Sequence, residues 1–258
     1  MLIDTHAHIT DEKYGDGGKG IIESMSRDNL EAIICIGCDR ESSRAAVNIA
    51  NADPRIYAAV GVHPYYPDTV TDELLDEFRT AAQNNKVVAI GEFGLDYHYG
   101  DDEREAQKEA MVKQYELARE LKLPMVFHVR AAIGDFTEFI KDRSFPEGGV
   151  MHCFAGSVET ADICIKKGLY IAFGGKVTYR NSKTAHEVAK RIPLDRMLLE
   201  TDAPYLTPAE KAGGINYPAF VSFVRDKIAE LRGVSADEIE EITTRNAKTL
   251  FTRIKQYE

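Results

Sequence analysis

Apolar residues recur along this chain in short, β-branched runs, each followed by a polar or glycine-containing turn and then by a stretch with helical apolar spacing. Eight such runs, at residues 2–5, 32–36, 57–61, 87–91, 125–128, 149–152, 170–173 and 197–200, have the length and composition of buried strands. Their starts lie about 20 to 38 residues apart, close to one strand-plus-helix unit. Residues 102–122 and 157–167 read as helices between them. Residues 103–121 lack Gly and Pro and place Ala106, Ala110, Met111, Gln114, Leu117, Ala118 and Leu121 on one broad face. Ser157 with Thr160, after Gly156, marks a helix start. After a Gly- and Pro-containing loop at 203–218, two more helical stretches at 219–232 and 235–249 are placed to complete an outer ring. The pattern predicts an α/β fold, a (β/α)8 barrel spanning residues 1–258 as one domain. A doubly wound open sheet is the competing arrangement.

The polar residues ending these runs separate the two. His6 and His8 follow the first run, His63 the third, and Glu92, His128, His152 and Asp202 follow the fourth, fifth, sixth and eighth. In an extended strand, side chains two apart point the same way, so His6 and His8 share a face. A barrel brings all these tips to one mouth, whereas an open sheet strings them along an edge. Five of the seven histidines occupy such positions, and only His98 and His186 do not. Any one of them alone reads as a hydrogen-bonded histidine; together they predict a metal site.

Four histidines and two carboxylates exceed the three protein ligands of a mononuclear catalytic zinc site. Glu92 has two oxygens and can bridge two ions roughly 3.5–4 Å apart. The expected division is His6, His8, Glu92 and Asp202 on one divalent ion, with Glu92, His128 and His152 on the other. Imidazole-rich ligation points to Zn²⁺, with Mn²⁺, Co²⁺ and Fe²⁺ as alternatives and the oxygen-seeking Mg²⁺ less suited. Two carboxylates offset half the charge of two divalent ions, leaving a cationic pocket suited to an anion such as a phosphate ester. Arg130, two residues beyond His128, is placed to clasp phosphate, and His63 to bind substrate or remain a hydrogen-bonded rim residue.

Composition narrows the class of protein. Of 258 residues, 44% are apolar and 29% charged, and no stretch approaches the roughly 18 apolar residues of a membrane span. No basic-then-apolar leader precedes Leu2, so a cytoplasmic location is expected, without membrane contact or a stable protein partner. The net charge of −10 argues against a protein that coats nucleic acid through a broad basic face. Cys35 and Cys38 form a CxxC closing a strand-like run, with no second pair to complete a zinc site and no helix-start context for redox work. Cys153 is expected to point away from His152, and Cys164 to be a small core residue.

The strings Asp4-Thr5-His6-Ala7-His8, Gly61-Val62-His63-Pro64, Gly91-Glu92-Phe93-Gly94-Leu95-Asp96-Tyr97, His152-Cys153-Phe154-Ala155-Gly156 and Glu200-Thr201-Asp202-Ala203-Pro204-Tyr205-Leu206 resemble the TatD family of metal-dependent deoxyribonucleases. That family belongs to the amidohydrolase superfamily of TIM barrels. The resemblance runs nearly end to end, closing with Asn246-Ala247 before Leu250-Phe251. Glutamate as the bridging ligand, in place of a carboxylated lysine, also resembles TatD proteins. The resemblance implies a cytoplasmic phosphodiesterase acting on DNA ends or short oligonucleotides, with 3′–5′ exonuclease character. Asp202 would then serve as general base toward a water acidified by the ions, with Glu92 as the bridge. An amidohydrolase or lactonase acting on a small anionic molecule with the same ions is the second enzymatic reading, and a metal-carrying scaffold the third. One departure bears on substrate: the loop Lys211-Ala212-Gly213-Gly214-Ile215-Asn216-Tyr217-Pro218 keeps Asn216 and Pro218 but lacks the arginines usual before them in the family.

Overall fold

The computed structural model describes residues 1–100 and 103–254; Asp102, where the long predicted helix was to begin, lies outside them. Eight parallel strands follow in chain order: β1 (Leu2–Ala7), β2 (Leu30–Ile36), β3 (Ile56–Val60), β4 (Val87–Asp96), β5 (Met125–Arg130), β6 (Gly149–Met151), β7 (Leu169–Phe173) and β8 (Met197–Leu199). The seam between β8 and β1 is joined by backbone bonds from His8 N–H to the Ala203 carbonyl (2.7 Å) and from Asp202 N–H to the His6 carbonyl (2.9 Å). The buried Asp4 carboxylate reinforces it, accepting from the Thr201 amide at 3.0 Å and hydroxyl at 2.5 Å. The architecture is therefore a (β/α)8 barrel and not an open sheet.

Helices α1 (Lys19–Ser24), α2 (Arg40–Ala52), α3 (Asp72–Ala81), α4 (Arg104–Leu121), α5 (Ile133–Lys141), α6 (Val158–Lys166) and α7 (Lys183–Arg191) alternate with the strands, and α8 (Val221–Arg232) and α9 (Ala236–Leu250) close the ring. Ser157 caps α6 by accepting from the Thr160 amide, as its position in the sequence predicts. Inside the barrel, Ile3, Ile34, Ile36, Tyr57, Val88, Val126, Val150, Tyr170 and Leu198 form a core continued by Leu250, Phe251 and Ile254. Those last residues plug the N-terminal end of the strands: Arg253 bonds the carbonyls of Ala82, Asn84 and Val87 there. The C-terminal end is left open to carry polar side chains. Among the described residues, no helix is long and apolar enough to cross a membrane.

β4 departs most from its expected span, running five residues further, from Gly91 to Asp96. Its pairing with β5 slips between Ile90 and Phe93, a bulge that turns Glu92 toward the barrel axis while Phe93 packs outside against Phe127. Gly91 and Gly94 have φ of 145° and 151°, and a Cβ on Gly94 would sit 2.0 Å from the His128 carbonyl oxygen. Only glycine lets β4 lie this close to β5, and so brings Glu92 beside His128.

Candidate metal centre

All six predicted ligands meet at the open end of the barrel. Glu92, 3% exposed, stands at their centre. Its Oε1 lies 3.5 Å from His8 Nε2, and its Oε2 lies 3.6 Å from His6 Nε2, 3.4 Å from His128 Nδ1 and 3.5 Å from His152 Nε2. Asp202 Oδ1 lies 3.3 Å from His8 Nε2 and 3.7 Å from His6 Nε2. Asp202 sits at φ 59°, a left-handed turn just past β8 that directs its carboxylate back over β1.

Three of the four histidines have a partner at the other nitrogen. His8 Nδ1–H donates to the Ile36 carbonyl (3.1 Å), and His128 Nε2–H to Asp96 Oδ2 (3.0 Å). His152 Nδ1 lies 3.1 Å from Glu200 Oε1, an oxygen that also accepts the Cys153 amide at 2.6 Å. The His8 and His128 bonds leave their inward nitrogens as lone-pair donors, the arrangement that orients metal-binding imidazoles, and the Glu200 carboxylate stands beside His152 as its ionic partner. His6 instead stacks on His152, with ring centroids 3.7 Å apart.

The electrostatics follow from crowding these groups in a dry place. Burial works to raise the Glu92 carboxyl, but His6, His128 and His152 around it hold it well below the usual carboxylate range. Burial pushes the His152 imidazole down, yet Glu200 outweighs that and lifts it to about 9. Burial also drives His63 down to about 4.

The residues fit a bound divalent cation. His6 Nε2, Glu92 Oε2 and His128 Nδ1 are buried without a hydrogen-bond partner. Orphaned polar atoms of this kind are costly unless something satisfies them. Two ligand atoms roughly 2.1 Å from one ion at the tetrahedral angle stand about 3.4 Å apart, the spacing seen around Glu92. Ligand atoms fall within 4.8 Å of one another in three groups: His6, His8 and Glu92; His6, His152 and Asp202; and His63, Glu92 and His128.

His63 thus lies nearer the centre than a rim residue. Its Nδ1 accepts the Tyr65 amide at 3.2 Å, which commits that lone pair and leaves the Nε2 proton to donate. Arg130 ends β5 in the cavity wall, with its guanidinium 5.6 Å from the Tyr99 ring centroid. The cavity measures about 790 Å³ and is also lined by Cys38, Cys153, Lys176 and Tyr205. His98 and His186 stay outside it; His186 bonds the Val177 carbonyl at 2.8 Å.

Two expectations for cysteine change. Cys153 faces the cavity, because β6 ends at Met151 and strand alternation stops before it; φ at Cys153 is 44°. Cys38 places its thiol 3.3 Å from Glu92 Oε1 and 3.6 Å from His8 Nδ1, beside the centre, while Cys35 is buried. Sequence reasoning also passed over Asp96 and Glu200 as groups that aim the histidines. Their signal was available, since each is an acid within four residues of a candidate ligand near a strand end. Asn216 has a structural role: its amide bonds the Thr201 and Tyr205 carbonyls at 2.9 and 2.6 Å and so braces the turn carrying Asp202.

Residues 3–252 match the family model described as TatD related DNase. The chain is 42% identical over 252 residues to YabD of Bacillus subtilis, named an uncharacterized metal-dependent hydrolase, covering 97% of this chain and 99% of that one. It is 31% identical over 258 residues to a protein of Pantoea vagans named 3′-5′ ssDNA/RNA exonuclease TatD, covering 97% and 99%. The crystal structure of YjjV, a TatD homologue from Escherichia coli K12, superposes with a TM-score of 0.91 at 32% identity, over 97% of this chain and 98% of that one. A match that spans nearly the whole barrel, at this level of identity, places the chain in the TatD family of metal-dependent hydrolases.

Proposed function

We propose that this protein hydrolyses phosphodiester bonds at DNA ends or in short oligonucleotides, in 3′–5′ exonuclease fashion, with two divalent ions held around Glu92. One observation carries the reading: the two oxygens of one buried carboxylate face different imidazoles, Oε1 toward His8 and Oε2 toward His6, His128 and His152. His6, His8, Glu92 and Asp202 would hold one ion, and Glu92, His128 and His152 the other. The imidazole content favours Zn²⁺, Mn²⁺, Co²⁺ or Fe²⁺ over Mg²⁺. Bound there, such ions lower the pKa of water and offset charge on a phosphoryl group.

The chain's own residues do the rest. Asp202, partly open to the cavity, accepts the proton of the attacking water at its carboxylate. His63 presents its Nε2 proton to a phosphoryl or leaving-group oxygen, because Nδ1 is held by the Tyr65 amide. Arg130 and Lys176 in the cavity wall hold the phosphate by charge-assisted hydrogen bonds. Four free cysteines, among the described residues, suit a reducing, cytoplasmic compartment. The Pantoea relative's name supports a nucleic acid substrate for this chain.

Elemental analysis of purified protein, joined to product mapping on an end-labelled oligonucleotide, tests the reading. Close to two ions per chain and stepwise loss of 3′ nucleotides is the expected result. Oligonucleotide inertness alongside turnover of a lactone panel would reject it in favour of small-molecule hydrolysis.

A further inference from the structure

Exposed large apolar side chains gather at the cavity. Eight are exposed among the described residues, and four of them, Tyr65, Tyr66, Tyr99 and Tyr205, line its walls. Single exposed apolar residues need no explanation, but such clustering at one opening marks a contact surface.

The rings form a continuous series leading out from the centre. The His128 and His63 centroids are 4.3 Å apart, His63 and Tyr65 4.4 Å, and Tyr65 and Tyr99 5.7 Å. Tyr65 stands near Asp96, the carboxylate that also orients His128, and its hydroxyl is pushed up to about 12 by burial and that charge. Tyr99 ends the series, 78% exposed, with Arg130 over its ring. Across the mouth, past β8, Tyr205 lies 5.8 Å from the His8 ring, 42% exposed. Its hydroxyl donates to Asp11 at 2.7 Å, and Lys13 stands 4.0 Å over its ring. Each outer tyrosine therefore pairs an exposed ring with a cation close over it.

This surface suits an unpaired nucleobase next to a phosphate. Stacking on an aromatic side chain binds any base, since every base has a π face, whereas paired bases keep theirs inside a duplex. The chain carries net charge −10, and its loop at 211–218 has one lysine as its sole charged residue, so long-range attraction to a phosphate backbone is weak. Binding strength must then come from elsewhere.

We propose that Tyr99 and Tyr205 are base-stacking positions on opposite sides of the centre, binding unpaired nucleotides that flank the phosphodiester to be cut. This rests on the phosphodiesterase reading above. Stacking of one base on an aromatic residue is worth roughly fivefold to a hundredfold in affinity.

The test uses the metal-loaded full chain and two strands of equal length, one natural and one abasic over its last three positions, so that both carry the same phosphates. KM and kcat are measured for each, and equilibrium binding is measured separately by anisotropy on phosphorothioate-linked versions of both strands, which resist cleavage. The abasic strand is expected to show KM and Kd raised at least fivefold with kcat little changed. Tyr99→Ala should raise KM for the natural strand by a similar factor and leave the abasic strand unaffected, and Tyr99→Phe should restore the natural KM. Because Tyr99 is so exposed, its truncation leaves the core intact. Equal KM and Kd for the two strands would overturn the stacking proposal, as would an equal loss on both strands in Tyr99→Ala. Base-dependent binding without cleavage would keep the stacking site and reject the phosphodiesterase reading. Neither binding nor cleavage of either strand would reject both.

Discussion

Replacing Glu200 by Gln isolates what a buried carboxylate contributes to the centre without touching an inward-facing atom. Glu200 is fully buried, and one of its oxygens serves both the Cys153 amide (2.6 Å) and His152 Nδ1 (3.1 Å). A glutamine of the same shape can still accept both hydrogens; only the charge is lost. Hydrogen bonds to charged groups contribute about 1.5–3 kcal/mol, against about 0.5–1.5 for neutral pairs. The variant therefore gives up roughly 1–1.5 kcal/mol of support for the His152 lone pair, about a tenfold loss in affinity for the ion that His152 holds. That figure sits at the lower end of the roughly 10- to 100-fold cost of removing such orienting groups. The assay is chelator competition with Zn²⁺ on metal-stripped protein, fitted for two sites, beside a thermal melt. Corrected for the proton that His152 releases on binding, one site should weaken about tenfold, the other should hold, and the melting temperature of the stripped protein should stay within a few degrees of the parent. NMR titration of the stripped variant should show the His152 pKa fallen from about 9, because burial depresses it once the opposing charge is gone. Unchanged affinities at both sites, with an unchanged His152 titration, would refute this account of how the imidazole is tuned.

Glu92→Ala should leave purified protein almost free of metal and inactive, since it removes the group that faces four imidazoles; retention of two ions would contradict the bridging role. Asp202→Asn should keep at least one ion yet lose about 100-fold or more in kcat, the usual scale of a general base, and near-normal rates would identify another base. Arg130→Ala should raise KM for phosphate esters about tenfold or more, with kcat less affected, on the scale of one charge-assisted bond; an unchanged KM would return Arg130 to a surface role. Away from the site, Arg55 grips Asp53 through its Nε and Nη2 at 2.9 and 2.8 Å and holds that carboxyl below its usual value. A depressed carboxyl stabilises above its unfolded pKa and loses the effect as pH falls through the folded one, so Asp53→Asn should cost about 0.5–1 kcal/mol at pH 7. The gap in melting temperature to the parent should close as pH falls through the lowered Asp53 carboxyl, and a gap that persists once it is protonated would show a packing effect.

The strand tips were legible because barrel chemistry puts ligands where apolar runs stop, and six of the eight runs here stop at or just before a donor. The pairing partners of those donors were not. Asp96 was hidden by the expectation that β4 ends at Gly91; the glycines that look like terminators are what let the strand bulge and continue. Glu200 reaches His152 from a strand two places away in the barrel, a contact that periodicity within one strand cannot supply. Cys153 was misplaced for a related reason, since alternation was carried one turn beyond the end of β6. Cys38 was read through its CxxC spacing, yet what matters is its height on the barrel: it lies just past β2, level with His8. The tyrosines at the mouth sit on loops, where neither a period of 2 nor of 3.6 operates.

Net charge and local charge part company in this molecule. The excess of acid is spread over helices that face solvent, where opposite charges interleave in pairs such as Arg44 with Glu77 and Lys227 with Glu230. At ionic strengths near 0.15 M, exposed charges more than about 8 Å away are largely screened, so the acidic exterior contributes little inside the cavity. The buried carboxylates around the centre are committed: Glu92, Asp96 and Glu200 to histidines, Asp4 to the barrel seam. Asp11, Asp39, Glu41, Glu92 and Asp202 line the cavity beside Arg130 and Lys176, so divalent ions at Glu92 are what would turn its balance positive. An anion would be held there by short-range contacts while little draws it in from afar. A protein built this way must take its grip on a polymer from the few groups that touch it, which is why the tyrosines at the mouth carry more weight than the overall charge.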